Sequence, residues 1–166
     1  MNKTACFSGY RPEKFSFILI DGQEAYLNLQ SKIRAAIITA VEDGFDTFLC
    51  GMARGLDLIC GGLVLQLKQE RPQYSGIRLI AVPPFPEHGF GGPWGVIHSL
   101  VMSRADDLVF PAENNSRRAY HLRNRDMVDH SSRLICYYDG QPGGTGYTVD
   151  YARQKGLEVV NLQSLK

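Results

Sequence analysis

The chain has 166 residues, 44% of them apolar and 21% charged, with a formal net charge of +1. Those values predict one soluble globular domain over residues 1–166 with a sizeable core. They weigh against a dedicated nucleic-acid binder, which carries a larger positive excess, and no apolar run reaches membrane-spanning length.

In chain order, Thr4–Phe7 is a short apolar strand that ends in SGYRP. Glu24–Asp43 is a helix, with Leu29, Ile33, Ala36, Ile37, Ala40 and Val41 at helical spacing and Gly44 as its stop signal. Thr47–Cys50 is a strand followed by GMARG, and Leu56, Ile59, Cys60, Leu63, Val64 and Leu67 mark the next helix face. Residues 77–82 form a strand closed by PPFP, Trp94–Arg104 a helix and Asp107–Phe110 a strand closed by PAENN. Residues 117–131 form a helix, Arg133–Tyr138 a strand closed by DGQPGGTG, Tyr147–Lys155 a helix stopped by Gly156, and Glu158–Leu162 a last strand. Strands this short and apolar are buried on both faces. Their alternation with helices predicts an α/β Rossmann-like three-layer sandwich with a mostly parallel sheet. The longest irregular piece is PPFPEHGFGGP, residues 83–93, and loops of that length cover sites or move.

The cysteines, Cys6, Cys50, Cys60 and Cys136, form no C-x-x-C pair and read as small buried hydrophobes of a reducing compartment. The start of the chain, MNKTACFSGYRP, lacks the apolar stretch of a signal peptide, so a cytoplasmic location is expected. His88, His98, His121 and His130 show no metal-ligand spacing, and no metal is predicted.

All strand C-termini of a parallel sheet lie along one edge. Here SGYR, GMARG and PGGTG follow strands, so their glycines are expected to meet on that edge. Glycine lets a ligand approach the backbone, and each following helix aims its free N–H groups and positive dipole end at the same place. Open α/β sheets bind ligands there. The expected ligand is a nucleotide or nucleotide derivative, with tight turns alone as the alternative. No G-x-G-x-x-G follows the first strand and no G-x-x-x-x-G-K-[ST] occurs anywhere, which disfavours dinucleotide dehydrogenases and P-loop NTPases.

FSGYRP, FLCGMARGLD, YHLRNRDMVDHSS and YDGQPGGTGYTVDYA resemble, in order, motifs of the bacterial YpsA/YoqJ-like family. That family belongs to the SLOG superfamily of Rossmann-like domains, with the Lonely-Guy (LOG) phosphoribohydrolases and the DprA DNA-processing proteins. The match runs from about Thr4 to Gly156. The resemblance implies a Rossmann-like fold, a pocket for a nucleotide or ADP-ribose-like ligand, and a homodimer. LOG enzymes carry R-K-x-x-M on a helix and P-G-G-x-G-T-x-x-E at a turn. This chain keeps Arg123 and Met127 with Asn124 in place of the lysine, and keeps Pro142, Gly143, Gly144 and Gly146. Tyr147 replaces the threonine, and Asp150 stands at the position of the catalytic glutamate. Cleaving an N-glycosidic bond builds positive charge on the ribose, which a carboxylate stabilises, and an arginine holds the phosphate or the leaving base. Arg123 and Asp150 are therefore the catalytic candidates if the chain is a LOG-like N-glycosidase, and their spacing about the glycine turn is expected to face both into one pocket.

The remaining candidates each have a plainer reading. Asp57 opens the helix after GMARG, where it serves either the helix dipole or a ribose hydroxyl. Asp150 has the same dipole explanation, with Arg153 at i+3. Arg11 precedes Pro12 in a loop and suits a phosphate or base contact; Ser8 serves the ligand or its own turn. Arg125 pairs with Asp129 at i+4 in the simplest reading. Phe85, Phe90 and Trp94 either pack the core or cover a base. The expected ligand-binding set is Ser8, Gly9, Arg11, Gly51, Met52, Ala53, Gly55, Asp57, Asn124, Gly143, Gly144 and Thr145, with phosphates on residues 51–55 and 143–145. A DprA-like single-stranded DNA surface on the same edge is the alternative outside small-molecule binding.

Overall fold

The computed structural model describes residues 3–165. Its order is β1 (Lys3–Ser8), α1 (Glu24–Glu42), β2 (Phe45–Cys50), α2 (Leu56–Glu70), β3 (Arg78–Ala81), α3 (Gly92–Arg104), β4 (Asp107–Leu108), α4 (Arg117–Asp129), β5 (Arg133–Cys136), α5 (Gly144–Gln154) and β6 (Glu158–Asn161). Short 3-10 turns lie at Pro12–Lys14, Pro72–Tyr74 and Leu162–Ser164. The strands form one sheet in the order β4-β3-β2-β1-β5-β6, and every pairing is parallel.

Alternation along the strands builds the three layers. Ala5 and Phe7 of β1, Phe48 and Cys50 of β2, and Ile135 of β5 point to the face covered by α1 and α2. Cys6, Leu49, Leu134 and Cys136 point to the opposite face, where they meet Met127 and Val128 of α4 and Val149 and Ala152 of α5. Both faces are buried, so the strands read as continuous apolar runs. All four cysteines are buried and free, and burial pushes the Cys6 and Cys136 thiols up to about 12.

Several boundaries differ from the sequence reading, each for a local reason. β5 stops at Cys136 instead of Tyr138 because the Asn161 side chain takes over the pairing. Its Oδ1 accepts from the Tyr138 N–H at 3.1 Å and its Nδ2 donates to the Tyr138 carbonyl at 2.7 Å. β4 is two residues long and exposed, an edge strand paired on one side only. α5 begins at Gly144, three residues before Tyr147, so the glycine turn itself forms the first helical turn. α4 is capped by Ser116, whose Oγ accepts from the Ala119 N–H at 3.1 Å.

This topology has a switch point. From β1 the chain runs one way to β2, β3 and β4; on the other side of β1 lie β5 and β6. The crevice above the C-terminal ends of β1 and β5 is where sheets of this class hold ligands.

Candidate functional site

A cavity of about 290 Å³ opens at that crevice. The segment after β1 supplies Ser8, Gly9, Tyr10, Arg11 and Lys14; the β2–α2 turn supplies Ala53 and Asp57; α4 supplies Tyr120, Arg123 and Asn124; and the first turn of α5 supplies Gly144 and Thr145.

Arg123 is the most constrained of these side chains. It is only 5% exposed. Its Nη1 donates to the Gly51 carbonyl and its Nε donates to Asn124 Oδ1 at 2.7 Å. Its Nη2 has no protein partner among the described residues. Asp57, also 5% exposed, accepts at Oδ2 from the Ala53 N–H at 3.3 Å. A Cβ built on Gly51 would lie 2.9 Å from Asp57 Oδ2 and 3.0 Å from Arg123 Nη1. Glycine at position 51 thus lets the buried carboxylate and guanidinium flank the backbone side by side, without closing into a direct ion pair.

Burial governs the electrostatics. It pushes the Asp57 carboxyl up to about 6, while the Arg123 charge, the Ala53 N–H and the Arg11 charge pull it partly back. Burial likewise lowers Arg123, which Asp57 partly offsets. Arg11 and Lys14 add two further cations. Lys14 Nζ donates to the Pro142 carbonyl at 2.9 Å, which places it at the entrance to α5. The Tyr10 hydroxyl donates to Asp139 Oδ1 at 2.5 Å and ties the Ser8–Lys14 segment to the loop after β5. The cavity therefore collects Arg11, Lys14 and Arg123 around one carboxylate. The N-terminus of α5 also points here, with no side chain capping its first N–H groups.

Of the sequence-predicted residues, Ser8, Gly9, Arg11, Ala53, Asp57, Arg123, Asn124, Gly144 and Thr145 come together on this cavity. Gly51, Met52, Gly55 and Gly143 stand behind its wall. Gly55 has φ +91°, and a Cβ there would sit 2.4 Å from the Tyr10 carbonyl, so glycine at this position admits the neighbouring chain. Met52 is fully buried at φ 68°, a left-handed conformation that few side chains adopt, and its backbone makes the turn between Gly51 and Ala53. Gly143, at φ +143°, precedes α5 and faces Lys14. Gly144 differs from these glycines, since a Cβ on it would meet nothing within 4 Å.

Asp150 is not brought together with Arg123. It is exposed on α5 and does not line the cavity. Because the helix starts at Gly144, Asp150 lies five positions after Thr145, a rotation of about 140° away from the cavity side. The carboxylate inside the cavity is Asp57. Arg125 also differs from expectation: its Nε donates to the Tyr147 hydroxyl at 2.8 Å on α5, and Asp129 accepts from Tyr151. Phe85 is buried and Phe90 half-buried around His88, whereas Trp94 lines a separate cavity with Phe15 and Phe17.

Sequence reasoning missed Tyr10, Lys14 and Tyr120. Tyr120 was findable, because it precedes Arg123 by three positions and shares its helix face. Lys14 gave no signal, since its place depends on the fold of the loop after Pro12. Among the described residues no group of three or more metal-ligating side chains occurs, and no helix is long and apolar enough to cross a membrane.

With this geometry in hand, comparisons with known proteins give a consistent picture. The YpsA family model, described as the YspA SLOG family, matches residues 5–163. A UPF0398 protein of Bacillus thuringiensis (strain Al Hakam) is 25% identical over 169 residues, covering 98% of this chain and 88% of the relative. A UPF0398 protein of Bacillus cereus (strain AH187) matches to the same extent. Among solved structures, DNA processing protein A of Streptococcus pneumoniae superposes with a TM-score of 0.62 at 16% identity, over 95% of this chain and 49% of that one. DNA processing protein A of Helicobacter pylori, whose structure concerns its single-stranded DNA binding, gives the same TM-score and identity with 63% of its length covered. The chain thus spans about half of the first and under two-thirds of the second, and the likeness is one of fold.

Proposed function

Given that the chain belongs to the YspA SLOG family, we propose that it binds a nucleotide or nucleotide-derived ligand at the switch-point cavity, with a phosphate on the Gly144–Thr145 turn. The observation that carries the reading is Arg123: a guanidinium 95% removed from solvent, with one nitrogen unpartnered, beside an uncapped helix N-terminus. A buried cation held this way needs an anionic partner to offset its lost hydration. Arg11 and Lys14 supply further positive charge, and the open space over Gly144 admits a phosphate against the backbone. The ligand class is that of a sensor or binding protein.

A catalytic reading, N-glycosidic cleavage of a nucleoside monophosphate, is favoured by one observation. A carboxyl with a pKa near neutrality lies in the cavity, which suits acid–base work. That group is Asp57, at about 6, and not Asp150. Homodimer formation is a separate part of the proposal, supported by the exposed apolar residues Val96 and Leu100 of α3 and Val109 and Phe110 beyond the edge strand; light scattering checks it.

The test is calorimetric titration of the purified protein with AMP, ADP, ADP-ribose and a single-stranded oligonucleotide, with released base followed by chromatography. Saturable binding of at least one small nucleotide supports the reading. Binding of the oligonucleotide alone, falling steeply with salt as backbone contacts release counterions, would replace it with the DprA-like alternative.

A further inference from the structure

A second cavity of about 270 Å³ adjoins the first. Arg11, Ala53 and Tyr120 line both, so the two are lobes of one cleft with these residues at the neck. Small-molecule sites run from roughly 300 to 1,000 Å³. Each lobe alone lies at the lower edge of that range, and the two together lie well inside it.

The lobes differ in chemistry. The first holds the helix N-terminus, Lys14 and the buried Arg123. The second carries Arg54, Glu87 and Asn115 on its lining, and at its centre is His88, whose ring meets Phe85, Phe90 and Tyr120 edge-to-face at centroid distances of 5.5, 5.6 and 6.1 Å. His88 Nδ1 lies 3.2 Å from His98 Nε2, so one imidazole donates and the other accepts. Burial, together with the charges of His98, Arg123 and Arg11, pushes His88 down to about 4, which keeps it neutral. Its Nε2 has no protein partner among the described residues. A neutral ring nitrogen among aromatic edges neither attracts a phosphate nor repels a heterocycle. At the neck, the Arg11 guanidinium stands 6.0 Å from the Tyr120 ring and makes no side-chain hydrogen bond within the described protein. It is a free cation between a phosphate-suited lobe and a ring-suited one.

We infer that the second lobe receives the nucleobase of a nucleoside phosphate, held edge-on by His88 against the Phe85–Phe90–Tyr120 cluster, while the phosphate sits in the first lobe and Arg11 bridges the two. The inference rests on the nucleotide reading of the first lobe and adds what the rest of the ligand is. Base–aromatic contacts and one hydrogen bond to the base edge supply selection for a base-bearing ligand.

The test compares AMP with ribose 5-phosphate, which carries the sugar phosphate without the base. Dissociation constants are measured by calorimetry for the parent and for His88→Ala, with folding of the variant verified by circular dichroism. The parent is expected to hold AMP at least tenfold tighter than ribose 5-phosphate, and His88→Ala to erase that preference while leaving ribose 5-phosphate affinity unchanged. In the unmodified protein, the His88 imidazole resonances should shift with AMP and stay still with ribose 5-phosphate, a readout that does not depend on the variant folding. Equal affinity for the two compounds, or His88 resonances unmoved at saturating AMP, would overturn the base lobe while leaving the phosphate lobe standing. Failure of both compounds to bind would overturn the base lobe, and failure of ADP and ADP-ribose as well would overturn the phosphate lobe with it.

Discussion

Asp57 sets a pH response that can be worked from the structure. Burial raises its carboxyl from 3.8 to about 6, against the pull of Arg123 and the Ala53 N–H. A carboxyl whose pKa is higher in the folded than in the unfolded chain costs stability when ionised. The cost is present above the folded value and is relieved as pH falls through about 6. Linkage with these two values gives on the order of 1 kcal/mol of stability regained between pH 7.5 and 5.0. Other groups act in the opposite sense over acidic pH, among them Glu13, Asp106 and Asp139, whose pKa values are lowered. The difference between the parent and Asp57→Asn removes their contribution, because the amide keeps the shape but does not titrate. Urea unfolding followed by circular dichroism should therefore show the parent gaining on the order of 1 kcal/mol on the variant from pH 7.5 to 5.0. Parallel stability curves for the two proteins would refute the claim that Asp57 is a buried, weakly compensated carboxyl.

Three further substitutions probe the walls of the cleft. Gly144→Val should leave the melting temperature nearly unchanged, since a Cβ there meets nothing within 4 Å, and should weaken AMP binding more than tenfold by filling the phosphate seat; calorimetry and a thermal melt check both. Gly9→Ala should lower stability by about 1–3 kcal/mol in urea, because its Cβ would lie 2.1 Å from Leu56 Cδ2 and push α2 away from the β1 loop. Arg123→Met should weaken AMP binding by about 1.5–3 kcal/mol, the worth of a charge-assisted hydrogen bond, measured by titration at fixed salt.

The sequence carried the sheet and the edge where the candidate site lies. Runs such as FLC and LIC are apolar without alternation because Phe48 and Cys50 meet one helix layer and Leu49 the other, and that burial on both faces is what marks a parallel sheet. The roles of individual glycines were less legible. Gly51 and Gly55 look like ligand seats in GMARG, yet the space beside them belongs to Asp57, Arg123 and the Tyr10 carbonyl; a glycine required by a ligand and one required by a neighbouring chain leave the same letter. Asp150 faces away from the cavity because α5 starts at Gly144, which puts Thr145 and Asp150 on one helix five positions, about 140°, apart. The His88–His98 contact had no sequence signal at all, because it joins a loop to α3 through a separation fixed only by the folded path of Pro83–Gly91.

In the proposed function a phosphate-bearing ligand sits at the switch point between β1 and β5. Backbone amide mapping by ¹H–¹⁵N correlation spectra during an AMP titration tests it most directly. The predicted result is a saturating set of shifts at Gly9, Arg11, Ala53, Gly144 and Thr145, the amides around the first lobe. Shifts confined to the outer α4–α5 surface around Tyr147 and Tyr151, or none at any of the five residues at saturating AMP, would contradict it.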